Sequence, residues 1–199
     1  LERVHHIVEH ACRGLAGVSE SAVEMNSGLQ FFDGIETKDI QEILIRSAND
    51  LITLENPNYQ FVAARLLLFG LRKSVYKGHP DIHPTLKDHV KKCIDLGVYD
   101  KHILDRFTED EWETLNSYMD HERDMLFTYA GMRQVTDKYL VQDRSTGEIF
   151  ETPQFMYIMI AATLFQNDDK FYRLDYIKKY YDAISKHRIN IPTPVMAGV

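Results

Sequence analysis

Cysteine is scarce in this chain of 199 residues, which contains only Cys12 and Cys93. The two lie far apart and outside any CxxC spacing. This usage excludes a disulfide scaffold and a zinc site built on cysteines, and it is typical of a reducing compartment. We therefore expect a cytoplasmic protein in which both thiols are buried core side chains.

An excess of positive charge and long apolar runs are also lacking. The formal net charge of -7 at pH 7 argues against a general nucleic-acid or membrane-surface partner. A local cluster of cations could still bind a nucleotide. The longest apolar run, Phe155 to Phe165, is shorter than the roughly 20 residues that a membrane-spanning helix needs. We expect neither nucleic acid nor membrane among the partners.

Both ends of the chain lack the signs of a natural terminus. Leu1 stands where a start methionine is expected, and the final residues 195–199 are Val-Met-Ala-Gly-Val. A globular domain rarely ends on such an unprotected apolar segment. We expect a portion cut from a longer protein.

The first part of the chain shows helical periodicity. A helix is predicted from near residue 1, ending at Gly14, and Ser19 and Thr37 are predicted to cap the next two helices. Residues 77–80, Lys-Gly-His-Pro, combine a helix stop with a proline. They predict a boundary between a domain of residues 1–77 and a domain of residues 78–199.

The second part is also mainly helical. Thr108 and Glu111 form the pattern of a capping box, and residues 143–147 separate two short segments typical of a β-hairpin. Thr152-Pro153 predicts the start of an apolar helix that runs to about Phe165, and an amphipathic helix follows over about 169–186. Strands and helices do not alternate, so the predicted fold class is mainly α with one small hairpin.

Two clusters have the composition of metal sites. His5, His6 and His10 lie on a predicted helix, but two ligands one turn apart do not close a site, and a solvated helix face is the simpler interpretation. The acidic run of residues 120–124 lacks the Glu-x-x-His motifs of a di-iron bundle. It predicts an ion-paired helix start. We expect no metal in this chain.

Several residues have the chemistry to bind phosphate. Arg65, Arg72 and Lys73 are basic, Thr37 lies near a helix N-terminus, and Thr193 offers a hydroxyl between two prolines in a rigid loop. The structural alternatives stay open, because basic residues also bind helix carbonyls and a Pro-Thr-Pro segment is often a plain turn.

The tract from Asp120 onward resembles the large (alpha) subunit of class I ribonucleoside-diphosphate reductase. The matching sequence segments are HERDM (residues 121–125), FTY (127–129), KYLV (138–141), TGEIFE (146–151), PQF (153–155) and the closing PTPVMAG (192–198). In the first part, DGI at residues 33–35, PNYQ at 57–60 and AARL at 63–66 resemble the family's N-terminal ATP-cone. The resemblance covers essentially the whole chain in order.

The resemblance implies an enzyme that reduces ribonucleoside diphosphates to deoxyribonucleoside diphosphates for DNA synthesis, by radical chemistry. Its large subunit is a homodimer, and a separate small (beta) subunit contains the radical cofactor. The catalytic cysteines belong to a ten-stranded α/β barrel that follows the Pro-Thr-Pro segment. We therefore expect an ATP-cone that lacks its first β-hairpin, then a helical domain truncated before the barrel, with no catalytic residue.

Residue by residue, the resemblance assigns the substrate diphosphate to Thr193. It assigns the allosteric effector, ATP or dATP, to Leu1, Glu2, Arg3, Thr37, Phe69 and Lys73. Gln41 stands where many relatives have a histidine, so dATP inhibition is expected to be weakened. With the first hairpin absent, this portion alone is expected to bind effectors weakly. The alternative function is a stand-alone helical nucleotide-binding or interaction module without catalysis.

Overall fold

A computed structural model describes residues 2–28 and 30–197, without the side chains of Arg3 and Ala197. The described chain forms two compact units. The first contains the residues up to Leu71 together with Met125–Gln134, and the second contains Arg72–Asp124 together with the residues from Val135 onward. The predicted division into residues 1–77 and 78–199 stays a prediction about domains.

Helices dominate both units. The α-helices are α1 (Glu2–Cys12), α2 (Glu20–Gly28), α3 (Thr37–Asp50), α4 (Tyr59–Tyr76), α5 (Leu86–Asp95), α6 (Glu109–Tyr118), α7 (Tyr129–Lys138), α8 (Pro153–Phe165), α9 (Arg173–Ser185) and α10 (Thr193–Ala197). Two 3-10 helices span Lys101–Arg106 and His121–Leu126. The strands are β1 (Gln142–Asp143) and β2 (Glu148–Ile149). The mainly α fold class is confirmed.

The first unit has a single apolar core to which four helices contribute. Its fully buried members lie on the inner faces of α1, α2, α3 and α4, and they include Val8, Val23, Leu44 and Leu66. Ser19 caps α2 as predicted, since its Oγ accepts a hydrogen bond from the Ala22 amide at 3.2 Å. Burial of these spaced apolar side chains is what stabilises the short helices together.

The predicted cap at Thr37 is wrong. The N-cap of α3 is Glu36, whose backbone is extended (φ -72, ψ 148) and whose carbonyl accepts hydrogen bonds from the amides of Asp39 and Ile40. Thr37 is instead the first helical residue and is exposed. Its hydroxyl therefore does not cap α3, because the helix begins one residue earlier than the threonine pattern suggested.

In the second unit, α8 is buried on every side over its first ten residues. Its residues from Pro153 to Ala162 are all buried, and it packs against α9. A helix that is apolar all round belongs in a core. The predicted start at Thr152-Pro153 and the predicted end near Phe165 are confirmed. The capping box of Thr108 and Glu111 is confirmed at the start of α6, with both of its hydrogen bonds formed.

The predicted hairpin is also confirmed. Strands β1 and β2 pair antiparallel, with Gln142 opposite Ile149 and Asp143 opposite Glu148. Gly147 closes the turn with a φ of 76, and its amide donates to the Asp143 carbonyl at 2.7 Å. Glycine adopts this left-handed conformation without the steric cost that a Cβ would add.

Candidate functional site

The residues assigned to the effector lie on three helices. Glu2 is exposed in α1, Thr37 is exposed at the start of α3, and Phe69 is half-buried in α4. Lys73 is exposed in α4, one turn beyond Phe69. Residues four apart lie on the same face of a helix, so the spacing of Phe69 and Lys73 places both on one face of α4. Leu1 and the side chain of Arg3 lie outside the described residues.

Gln41 joins α3 to α4 in the first unit. Its Nε2 donates to the Leu66 carbonyl at 2.5 Å. Its Cγ lies only 3.3 Å from the point where a Cβ on Gly70 would be. The absence of a side chain at Gly70 therefore lets Gln41 lie against α4, and the glutamine amide is committed to a backbone carbonyl.

Phe69 contacts a histidine of α1. The rings of His10 and Phe69 meet edge to face, with centroids 4.8 Å apart. His10 thus departs from the predicted solvated face, whereas His5 and His6 are exposed. His5 Nδ1 lies 2.7 Å from Glu24 Oε1, and this hydrogen bond raises the pKa of His5. In the described residues, no three His, Cys, Asp or Glu side chains are grouped to hold a metal ion.

A cavity of about 550 Å³ lies between α1 and α2 in the first unit. Glu2, the ion-paired His5 and Glu24, and Phe31 are among its lining residues. Glu2 is also among the residues assigned to the effector.

Two of the three basic residues considered for phosphate binding have structural partners. Arg65 Nη1 donates to the carbonyls of Ala11 and Arg13, at 3.1 and 2.8 Å, and so satisfies the end of α1. Arg72 is buried and ion-paired, with its Nη2 3.5 Å from Asp124 Oδ2. These two arginines therefore bind groups of the protein itself, as the structural alternative proposed. Lys73, the third basic residue, is exposed.

Thr193 lies in the second unit, where the predicted rigid loop is wrong. Pro192 precedes the short helix α10, and its carbonyl accepts a hydrogen bond from the Val195 amide at 3.0 Å. Proline suits the start of a helix because its φ is already helical. Thr193 is exposed, and its Oγ1 lies 3.1 Å from Tyr139 Oη.

Tyr139 and Met196 line a cavity of about 310 Å³ in the second unit. Its inner wall includes Tyr99 and the fully buried Glu151. Glu151 Oε1 accepts a hydrogen bond from the Val141 amide at 2.8 Å, and Oε2 accepts one from the Tyr99 hydroxyl. Burial raises the pKa of Glu151 to about 7.

A second buried network surrounds Asp124. Its Oδ1 accepts a hydrogen bond from Gln154 Nε2 at 2.8 Å, and Gln154 Oε1 accepts one from the Tyr181 hydroxyl at 2.6 Å. Burial raises the pKa of Asp124 to about 6, against the opposing effect of Arg72. The acidic run is ion-paired as predicted, with Arg123 2.7 Å from Asp182, but it forms a 3-10 helix.

The sequence patterns did not indicate Glu151 and Gln154 as members of buried polar networks. The available signal was their position, since both lie at the start of an otherwise apolar segment. The two cysteines are buried as predicted, and burial raises the pKa of Cys12 to about 11 and that of Cys93 to about 12. A thiol with such a pKa is a poor nucleophile.

Comparison with known proteins matches residues 125–199 to the family model described as ribonucleotide reductase, all-alpha domain. Over its whole length the chain is 49% identical to the ribonucleoside-diphosphate reductase subunit alpha of Haemophilus influenzae and 48% identical to the ribonucleoside-diphosphate reductase 1 subunit alpha of Escherichia coli. A subunit alpha of phage T4 is 42% identical over 92% of the chain and is itself covered to 24%. The chain spans 26% of the two bacterial relatives.

Over its whole length the chain is therefore similar to one portion of ribonucleoside-diphosphate reductase alpha subunits, as its sequence segments predicted. The matches extend over both compact units, so the residues that the resemblance assigns to the effector and to the substrate lie within the aligned length. Across the described residues, the structure has no helix with both the length and the apolar character that crossing a membrane requires.

Proposed function

We propose that this chain is the effector-binding and scaffold portion of a subunit that reduces ribonucleoside diphosphates to deoxyribonucleoside diphosphates. The observation that supports this most strongly is the identity of 48–49%, over every residue of the chain, to two bacterial reductase alpha subunits. Two alpha subunits would form the homodimer, and a small subunit would supply the radical. The protein would work in the cytoplasm.

The chemistry of reduction would lie outside this portion. Cys12 and Cys93 are buried, and their raised pKa values disfavour the thiolate. Neither has the properties of a cysteine that exchanges electrons with a substrate. The contribution of this portion to the reaction would be one contact to the substrate diphosphate, made by the hydroxyl of Thr193.

The proposed effector site for ATP or dATP uses Leu1, Glu2, Arg3, Thr37, Phe69 and Lys73. In support, the Thr37 hydroxyl is exposed at the start of α3, and Phe69 and Lys73 share one face of α4. A triphosphate needs a cation and hydroxyl or amide donors, and an adenine ring needs an apolar or aromatic surface. Lys73 would contact the phosphates.

Gln41 is proposed to weaken dATP inhibition. Its amide hydrogen-bonds the Leu66 carbonyl at 2.5 Å, so it is already engaged, and a glutamine supplies no positive charge. The test is a titration of the complete subunit with dATP, in the presence of the small subunit. Strong inhibition at low dATP would contradict this proposal.

The experiment that tests the function measures reduction of a ribonucleoside diphosphate by the complete subunit with its small subunit. We expect activity that ATP stimulates. Lys73→Ala should weaken ATP binding about tenfold or more, because a charge-assisted hydrogen bond to a phosphate is lost. Lys170→Ala is the control, since Lys170 is also exposed but lies three residues before α9 and is not among the residues assigned to the effector.

Two results would contradict different parts of the proposal, the first its enzymatic function and the second the role of Lys73. No reduction by the complete, folded subunits would contradict the enzymatic function. Reduction with equal ATP affinity in Lys73→Ala and Lys170→Ala would leave the enzyme intact and remove Lys73 from the effector site.

A further inference from the structure

The Thr193 hydroxyl has a partner that no sequence motif indicated. Tyr139 Oη lies 3.1 Å from Thr193 Oγ1, a hydrogen bond between two hydroxyl groups that are far apart in the chain. Tyr139 is half-buried, whereas Thr193 is exposed. The more buried phenol therefore limits where the exposed hydroxyl points.

Tyr139 extends from a firmly held segment of backbone. Its amide donates to the Val135 carbonyl at 3.0 Å, and so does that of Leu140 at 3.1 Å. Two residues later, the Val141 amide donates to the fully buried carboxyl of Glu151. The segment is thus fixed at both ends, and Tyr139 is the rigid member of the pair because α10 has only five residues.

We propose that Tyr139 is a positioning residue, whose phenol donates to Thr193 Oγ1 and leaves the threonine proton free for a substrate phosphate oxygen. This inference rests on the proposed contact between Thr193 and the substrate diphosphate. A hydroxyl has one proton and two acceptor lone pairs, so Thr193 can accept from Tyr139 and donate to the phosphate at once. Hydrogen bonds linked in this way polarise and strengthen one another.

Met196 lies on the same short helix as Thr193. It is half-buried and lines the 310 Å³ cavity together with Tyr139. Residues 193 and 196 are three apart, so the apolar anchor lies next to the hydroxyl on α10. Removal of the phenol oxygen should therefore misdirect the Thr193 hydroxyl without releasing α10.

The test is a double-mutant cycle in the complete subunit assayed with its small subunit. Tyr139→Phe should raise the KM for a ribonucleoside diphosphate about two- to tenfold, the worth of one hydrogen bond, with kcat little changed. Thr193→Val should raise the KM at least as much, and Thr193→Ser, which keeps a hydroxyl, should restore most of the affinity. The double variant should be no worse than Thr193→Val alone, because Tyr139 acts through Thr193.

Tyr180→Phe is the matched control. Tyr180 is half-buried in the same unit, and its ring packs on Phe165. Within the described part of the chain its hydroxyl forms no hydrogen bond in the structure, so its removal should leave the KM unchanged. Thermal melting of every variant checks the fold, and Tyr139→Phe should melt within about 2 °C of Tyr180→Phe, since only surface hydroxyl contacts differ.

The outcomes separate this inference from the proposed function. If Thr193→Val leaves the KM unchanged, the proposed substrate contact is wrong, and the positioning role falls with it. If Thr193→Val raises the KM but Tyr139→Phe does not, the positioning role alone is overturned. Additive effects in the double variant, or a KM change that merely follows a loss of thermal stability, would overturn it as well.

Discussion

The clearest quantitative prediction concerns the buried carboxyl of Glu151. The side chain is fully buried and accepts hydrogen bonds from the Val141 amide and the Tyr99 hydroxyl. In Glu151→Gln the amide oxygen can still accept from Val141, and the amide nitrogen can donate to the Tyr99 oxygen. The substitution therefore removes a titratable group while it keeps the shape and the hydrogen bonds.

The sign of the effect follows from the raised pKa. Burial moves the pKa of Glu151 from an ordinary value of 4.5 to about 7, so the folded state favours the protonated acid. The stabilisation is fully present below pH 4.5 and is lost as the pH rises through about 7. The two pKa values differ by about 2.5, which corresponds to a loss of about 3 kcal/mol at pH 8. Glu151→Gln should escape this loss.

The assay is urea denaturation followed by tryptophan fluorescence between pH 5 and pH 9. Trp112 is the only tryptophan of the chain, and it is buried in the same unit as Glu151. The difference in free energy of unfolding between Glu151→Gln and the parent should be small at pH 5 and should reach about 3 kcal/mol in favour of the variant at pH 8. The buried histidines are present in both proteins, so their contribution to the pH dependence cancels in the difference between the two free energies of unfolding.

A control defines what would refute this reasoning. Glu113 is an exposed residue of α6, and Glu113→Gln should change the free energy of unfolding by less than about 0.5 kcal/mol at every pH. If Glu151→Gln gives the same flat profile, Glu151 is not held in its neutral form. If the variant is less stable than the parent at pH 8, the carboxylate is favourable where it lies.

The remaining predictions concern two contacts within single units. Asp124→Ala removes the buried ion-pair partner of Arg72 and leaves only the exposed carboxylate of Glu122, 4.0 Å away. It should lower the free energy of unfolding by about 3–5 kcal/mol in the same fluorescence assay, and a loss below about 1 kcal/mol would contradict a buried pair. Gly70→Ala should stabilise the parent less than it stabilises a Gln41→Ala variant, because only in the parent does the added Cβ meet the Gln41 side chain at 3.3 Å. Equal stabilisation of the two proteins, measured by thermal melting, would show that residues 41 and 70 do not interact.

Local patterns predicted many of the elements. The capping box at Thr108, the Gly147 hairpin and the Pro153 start of α8 are each set by residues close in sequence, and all three are confirmed. The prediction at Thr37 failed for a local reason as well, because any residue with an extended backbone and a free carbonyl can precede a helix, and Glu36 does so without a side-chain cap.

The candidate site was less predictable, because its contacts join distant residues. The Tyr139–Thr193 hydrogen bond and the Gln41–Leu66 hydrogen bond depend on tertiary packing. Periodicity places residues on a helix face but does not say which neighbour that face meets. The effector and substrate assignments came from resemblance, and they stay proposals.

The start of α8 explains how a helix that is buried all round acquires a defined orientation. Amphipathicity cannot fix its rotation, since its residues from Pro153 to Ala162 are all buried. Polar side chains at its beginning do so: the Thr152 hydroxyl lies 3.2 Å from Tyr76 Oη, and Gln154 bonds Asp124 and Tyr181.

The same helix start bears on the proposed substrate contact. Glu151, directly before Thr152, holds the Val141 amide, and Tyr139 in that segment bonds Thr193. Because an unpaired buried polar group costs free energy, the bond between Glu151 and the Val141 amide ties the start of α8 to the segment that contains Tyr139. The position of the proposed phosphate contact therefore depends on the hydrogen bond between Glu151 and the Val141 amide, so a substitution that removes this acceptor should also displace Thr193, whereas Glu151→Gln, which keeps it, should not.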